Sequence, residues 1–68
     1  MSVYKVIELI GSSEKSWEDA ARKAVENAAK GLKEIRVAEV KELDLRIEDG
    51  KVAEYRAKMS VSFKYIPT

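Results

Sequence analysis

Few side chains in this sequence have the chemistry to hold a ligand, and the carboxylates of Glu42 and Asp44 come first. They stand two residues apart in an extended stretch, so both project from one side of a strand. Paired carboxylates suit a hard cation such as calcium, which takes six to eight oxygens. Two side chains from one chain supply too few, and symmetry would have to multiply them. The alternative is a solvated face on which Glu42 and Asp44 pair with Lys41, Arg46 or Lys58. Arg56, on the polar side of a later strand, reads as one half of a cross-strand or intersubunit salt bridge. Gly11-Ser12-Ser13 precedes a helix and could offer backbone N–H groups to an anion. It lacks the lysine and spacing of a phosphate loop, however, and reads as a turn. Trp17, on a helix stripe, reads as a core or interface anchor.

The missing chemistry is as informative. The 68 residues contain no histidine and no cysteine. That removes disulfides, thiolate nucleophiles, Cys-type zinc sites and the one side chain that titrates near neutrality without perturbation. No convergent catalytic site is visible, so an enzyme is not expected. Thirteen Lys and Arg against twelve Asp and Glu leave a net charge of +1. Tyr4, Tyr55, Phe63 and Tyr65 are therefore aromatic residues without the positive excess a nucleic-acid surface needs. With 37% charged residues the chain carries no membrane-spanning pattern, and with 46% hydrophobic residues it is too apolar for disorder. Nothing at the start resembles a signal or transit peptide, so a cytoplasmic location is expected.

The elements that must position these residues are legible from periodicity. Val3–Ile10, rich in Val and Ile, predicts a strand buried on both faces and closed by Gly11-Ser12-Ser13. Ser16 predicts a helix N-cap, with Glu18 and Asp19 in the first turn. Trp17, Ala20, Ala21, Ala24, Val25, Ala28, Leu32 and Ile35 form an apolar stripe of helical spacing, interrupted by Gly31. Its small residues let the helix lie close to a sheet. From Arg36 to Ile47 a second strand changes phase: Ala38 and Val40 are apolar on even numbers, Leu43, Leu45 and Ile47 on odd ones. That requires a bulge or bend near Lys41–Glu42. Asp49-Gly50 signals a hairpin. The third strand alternates without a break from Ala53 to Tyr65, and Pro67 ends it.

The order β-α-β-β predicts an α+β fold, and its dimensions predict company. Fifteen strand residues span roughly 50 Å, whereas an 18-residue helix covers about 27 Å. The apolar end of the third strand, Met59 to Tyr65, would outrun its helix and need neighbouring subunits as cover. A chain this short also buries only roughly 60% of its unfolded surface, so a metal, a ligand or other subunits would supplement its core.

The run Tyr4–Ser13 (YKVIELIGSS), the helix opening Ser16-Trp17-Glu18, then Val37-Ala38-Glu39-Val40, Tyr55-Arg56 and Val61-Ser62-Phe63-Lys64 together resemble the dodecins. The similarity takes in residues 1–68 as one dodecin-like domain. It implies a three-stranded antiparallel sheet wrapped around one helix and assembled as a hollow homododecamer, a binding and storage protein. Flavin-binding dodecins stack a tryptophan early in the second strand on the flavin ring and bond its polar edge with a glutamine in the third. Those positions fall on Val37 and Arg56 here. The resemblance thus implies a flavin (FMN or riboflavin) or related ligand in an altered pocket at Val37 and Arg56. Losing the platform removes stacking worth about 0.5–1.5 kcal/mol per pair, and Arg56 has donors but no acceptor. Met1-Ser2-Val3-Tyr4-Lys5-Val6-Ile7 and Ile35-Arg36-Val37-Ala38 resemble a tryptophan-lacking branch that includes calcium-binding dodecins. That branch suggests a cation-binding or structural cage, with Glu42 and Asp44 as the metal-binding candidates.

Overall fold

Four elements follow one another in the computed structural model, which describes residues 3–65: β1 (Val3–Ser13), α1 (Trp17–Ala28), β2 (Ile35–Glu48) and β3 (Lys51–Tyr65). Met1-Ser2 and the strand-ending role expected of Pro67 lie outside the described residues. The strands form one antiparallel sheet in the order β1-β3-β2, so the last strand is central. The helix packs across one side, here the inner face, chiefly against β1 and β3.

β3 takes the centre because its alternation is unbroken. Ala57, Met59 and Val61 point inward and are buried to 1% exposure or less, together with Ala20 of the helix. The expectation that Met59 to Tyr65 outruns the helix holds only for its last residues. Met59 and Val61 are buried, and Tyr65 is exposed. The uncovered strand is instead β2, where every residue after Ile35 is exposed.

Two other expectations are corrected. Gly11-Ser12-Ser13 is not a turn; it continues β1, opposite Ala57, Arg56 and Tyr55. Gly11 is buried under the helix, where a Cβ would collide with the Ala20 carbonyl oxygen and lie 2.8 Å from the Ala24 Cβ. The glycine is there for close approach, and Ala20 and Ala24 are the small residues that meet it. Nor is β1 buried on both faces: Val6 and Ile10 on the outer face are 63% and 62% exposed, while Ile7 and Leu9 are half-buried.

The helix begins as its sequence dictates. Asp19 N–H donates to the Ser16 hydroxyl at 3.0 Å, which caps the first turn. It ends earlier than its apolar stripe, at Ala28 rather than near Ile35. Lys30 N–H to the Asn27 carbonyl and Gly31 N–H to the Ala28 carbonyl are three-residue bonds. They tighten the chain into a turn as it reaches Gly31, where helix is least favoured. Lys30 and Lys33 consequently lie past the last turn, and Ile35 opens β2. The change of phase in β2 is met by a register shift between Val40 and Glu42, as expected, with further shifts at Ile35/Val37 and Arg46/Ile47. Asp49 (φ 52°) and Gly50 (φ 73°) both take the left-handed conformation that a tight two-residue hairpin requires.

Candidate functional site

The outer face of the sheet carries the polar side chains, because β3 turns its even-numbered residues away from the helix. Antiparallel pairing sets Asp44 opposite Arg56 and Glu42 opposite Lys58. Asp44 and Arg56 form a two-pronged pair: Nε donates to Oδ1 at 2.7 Å and Nη2 to Oδ2 at 2.9 Å. The guanidinium beside it holds the Asp44 carboxyl below its ordinary value, and the carboxylate in turn raises Arg56. Lys58 lies between two strands, its Nζ 3.5 Å from Glu42 and 4.0 Å from Glu8. One step nearer the hairpin, Arg46 donates to Glu54 and to Glu48, each at 2.7 Å. Glu54 is lowered by that bond.

Glu42 and Asp44 therefore do share one side of β2, and each faces a base on the central strand. Lys58 is one of the expected partners of Glu42. Arg56, the partner of Asp44, was expected only as half of some cross-strand or intersubunit pair. Val37 is elsewhere. It pairs with Ser62, six residues along β3 from Arg56 and so roughly 20 Å away at ~3.3 Å per residue. Val6 meets the same Ser62 from the other side. Val37 and Val6 thus flank Ser62 at the far end of the outer face, 60% and 63% exposed. Within one chain Val37 and Arg56 do not make a common pocket.

One contact escapes any reading by type and spacing. The Trp17 indole N–H donates to the main-chain carbonyl of Asp44 at 3.0 Å. Its ring meets Tyr55 edge-on at 5.3 Å. Trp17 thus joins the helix N-terminus to β2, but at 36% exposure it is not the core residue that was one of the two expectations for it. Asp44 is held at both ends, its backbone from the inner face and its carboxylate from the outer. No sequence signal gives this, since the bond is to a carbonyl that every residue has. The same helix end is fixed by Asp19, which accepts from Ser13 Oγ at 2.6 Å and pairs with Arg22 and Lys23. Those bonds, Ser13's first, hold its carboxyl far below the usual range.

The donor set decides what each ligand would find. Glu42 and Asp44 offer oxygen donors of the kind calcium takes. Among the described residues no three acidic, His or Cys side chains converge to hold an ion. One chain is therefore half a cation site at most. For a flavin, Val37 offers an aliphatic floor without a π-face, and Arg56 is already engaged with Asp44 and carries no acceptor. The residues at those two positions do not fit a flavin held by ring stacking and an amide. No described helix is long and apolar enough to cross a membrane.

The chain is a small helix-on-sheet unit that leaves the apolar side chains of one strand exposed. Comparison with known proteins identifies its family. The dodecin family model matches residues 3–65, and the chain belongs to the dodecin family. It is 49% identical over 67 residues to the calcium dodecin of Mycobacterium tuberculosis, covering 98% of this chain and 94% of that protein. It is 39% identical over 62 residues to the dodecin of Thermus thermophilus, covering 91% and 90%. Among solved structures, that of the Mycobacterium tuberculosis calcium dodecin, described as having a novel calcium-binding site, superposes with a TM-score of 0.88 at 50% identity over 98% of this chain and 96% of the other. The dodecin of Streptomyces coelicolor superposes with a TM-score of 0.93 at 30% identity, over 98% and 96%.

Proposed function

We propose that this chain is the protomer of a homododecameric binding and storage shell for calcium, in which Glu42 and Asp44 are cation ligands. Copies related by symmetry supply the remaining oxygens. The observation that carries this reading is the 49% identity, over nearly the whole chain, to a protein named calcium dodecin. The outer-face geometry supports it: two carboxylates side by side on an exposed strand are a half-site that a facing copy would complete. Binding rather than catalysis is the role, since the site has no group poised to move a proton or attack a bond.

Calorimetric titration of the assembled protein with calcium tests the proposal. Binding in the wild type, lost in Glu42→Gln and Asp44→Asn, supports it; no heat at millimolar calcium removes it. A second reading has one observation behind it, the exposed valines Val37 and Val6 on either side of Ser62. A flat ligand such as a flavin could lie there in the assembly, with Arg56 reaching its phosphate. A yellow protein with a flavin spectrum on purification would favour that reading, and a colourless one whose thermal midpoint rises with calcium would favour the first.

A further inference from the structure

The chain has three aspartates, and only one is followed by glycine. Asp19 and Asp44 are both engaged: Asp19 accepts from Ser13 and pairs with Arg22 and Lys23, and Asp44 takes the Arg56 fork. The backbone after each is regular. Ala20 N–H donates to the Ser16 carbonyl at 3.0 Å, and Leu45 lies within β2. The side chains of Ala20 and Leu45 also shield their own amide nitrogens.

Asp49 differs on every count. It is exposed at the hairpin tip, and so is Gly50 after it. The nearby Arg46 is taken up by Glu48 and Glu54, and no hydrogen bond or ion pair among the described residues holds the Asp49 carboxylate. Among those residues the Gly50 N–H donates to no main-chain acceptor. Nothing lies within 4 Å of the point where a Gly50 Cβ would stand, so the nitrogen is open from that side. A short polar side chain and a missing Cβ are what fit Asp-Gly to a left-handed two-residue turn. The same two properties set an unshielded amide beside a free carboxyl.

We infer that Asp49-Gly50 is a site of spontaneous backbone isomerisation, at which Asp49 converts to isoaspartate through a cyclic imide. The Gly50 nitrogen, losing its proton, bonds to Cγ of the protonated Asp49 carboxyl, and the hydroxyl leaves as water. Water then adds to one of the two ring carbonyls. At the Asp49 main-chain carbonyl it breaks the bond to the Gly50 nitrogen, which regains a proton, and the chain afterwards runs through Asp49 Cβ and Cγ. At Cγ it restores aspartate. Ring closure requires Asp49 to rotate out of its hairpin conformation, so it proceeds from a frayed tip, and loop tips are the parts of a fold that open most readily. The product carries one more main-chain carbon in a loop of two residues. The adjoining pairs, Glu48 with Lys51 and Ile47 with Val52, then lose the turn that aligns them. The inference is independent of any bound cation or flavin.

Incubation of the intact protein at physiological temperature and pH, followed over weeks by tryptic mapping, tests it. Trypsin cuts after Arg46 and Lys51, and the peptide between them should split into two chromatographic species of identical mass. The newer species should be labelled by an isoaspartyl methyltransferase, while the peptides containing Asp19 and Asp44 stay single. Gly50→Asn installs a residue that tolerates the left-handed conformation but covers the nitrogen, and the second species should be lost. Asp49→Asn should convert faster than wild type, since an amide expels ammonia more readily than a carboxyl expels water. A free peptide of residues 46–54, incubated alongside, gives the rate without a fold. No second species in the protein while that peptide converts overturns the inference, because the folded turn would then protect the bond. Equal conversion at Asp19 or Asp44, conversion unchanged in Gly50→Asn, or no acceleration in Asp49→Asn overturns it as well, since the open amide of the turn would not be what selects the site.

Discussion

β3 and β2 lie side by side in one sheet, have nearly equal lengths and pair along most of them, yet their inward residues have opposite fates. On β3, Ala57, Met59 and Val61 are sealed beneath the helix; on β2, Val40, Leu43, Leu45 and Ile47 are 40–57% exposed. Hydrophobicity does not separate them, since leucines and isoleucine are the ones left in water. Reach does. A 12-residue helix is about 18 Å long and one helix wide. Gly11 draws it down over β1 and β3, so β2 falls outside its width. The difference teaches which part of the fold one chain completes and which part waits for another copy. Burying four such side chains at about 25 cal/mol per Å² of apolar surface is a strong drive toward assembly.

That comparison can be broken from either side. The largest effect is expected at β2. Replacing Leu43 and Leu45 together by Glu should leave the protomer's circular dichroism intact and abolish assembly outright, as sedimentation velocity would show. Disruption of the protomer fold itself would mean that β2 is held by contacts within the chain. On the β3 side, Met59→Ala opens a cavity at a large, fully buried side chain and should cost about 2–5 kcal/mol in denaturant unfolding. An equal loss from Val40→Ala would erase the distinction between the strands. Trp17 is the bridge between the two regions. Trp17→Phe keeps much of the packing on Tyr55 but loses the bond to the Asp44 carbonyl, which should cost about 1 kcal/mol. The smallest effect is that of acid. Asp19, Asp44 and Glu54 all have carboxyls held below their ordinary values of 3.8, 3.8 and 4.5. Each binds fewer protons folded than unfolded, so its contribution is complete above those values and is lost as pH falls through the lowered ones. Thermal midpoints should be level from neutral pH to about pH 5 and decline below it. Asp19→Asn should flatten that decline more than Asp44→Asn, because Asp19 is held by three side chains and Asp44 by one.

The elements were legible because each rests on local chemistry. Ser16 caps, Asp49-Gly50 turns, and the unbroken alternation from Ala53 to Tyr65 can only be a strand with one buried face. The bulge near Lys41–Glu42 was legible for the same reason, since two apolar phases cannot share one flat strand. What failed was tertiary. Gly11 has the composition of a turn, and only the proximity of Ala20 and Ala24 shows that it is a contact. The apolar stripe runs on to Ile35, but the backbone bonds change at Asn27–Gly31 and the helix stops. The candidate site was half legible. Alternation alone places Glu42 and Asp44 on one side. The partner of Asp44 depends on register. Counting back from the hairpin sets Asp44 against Tyr55, and the shift at Arg46/Ile47 moves it to Arg56. The resemblance named Val37 and Arg56 together, yet one chain keeps them far apart; any pocket they share belongs to the assembly.

Native mass spectrometry of the protein as purified, without added ligand, tests the unfinished strand most directly. The account predicts one dominant species of twelve chains, about 92 kDa for protomers of 7.7 kDa. Any excess mass would identify a retained metal or flavin. A stable monomer or dimer would contradict it, and would mean that β2 leaves its leucines in water or finds cover within its own chain.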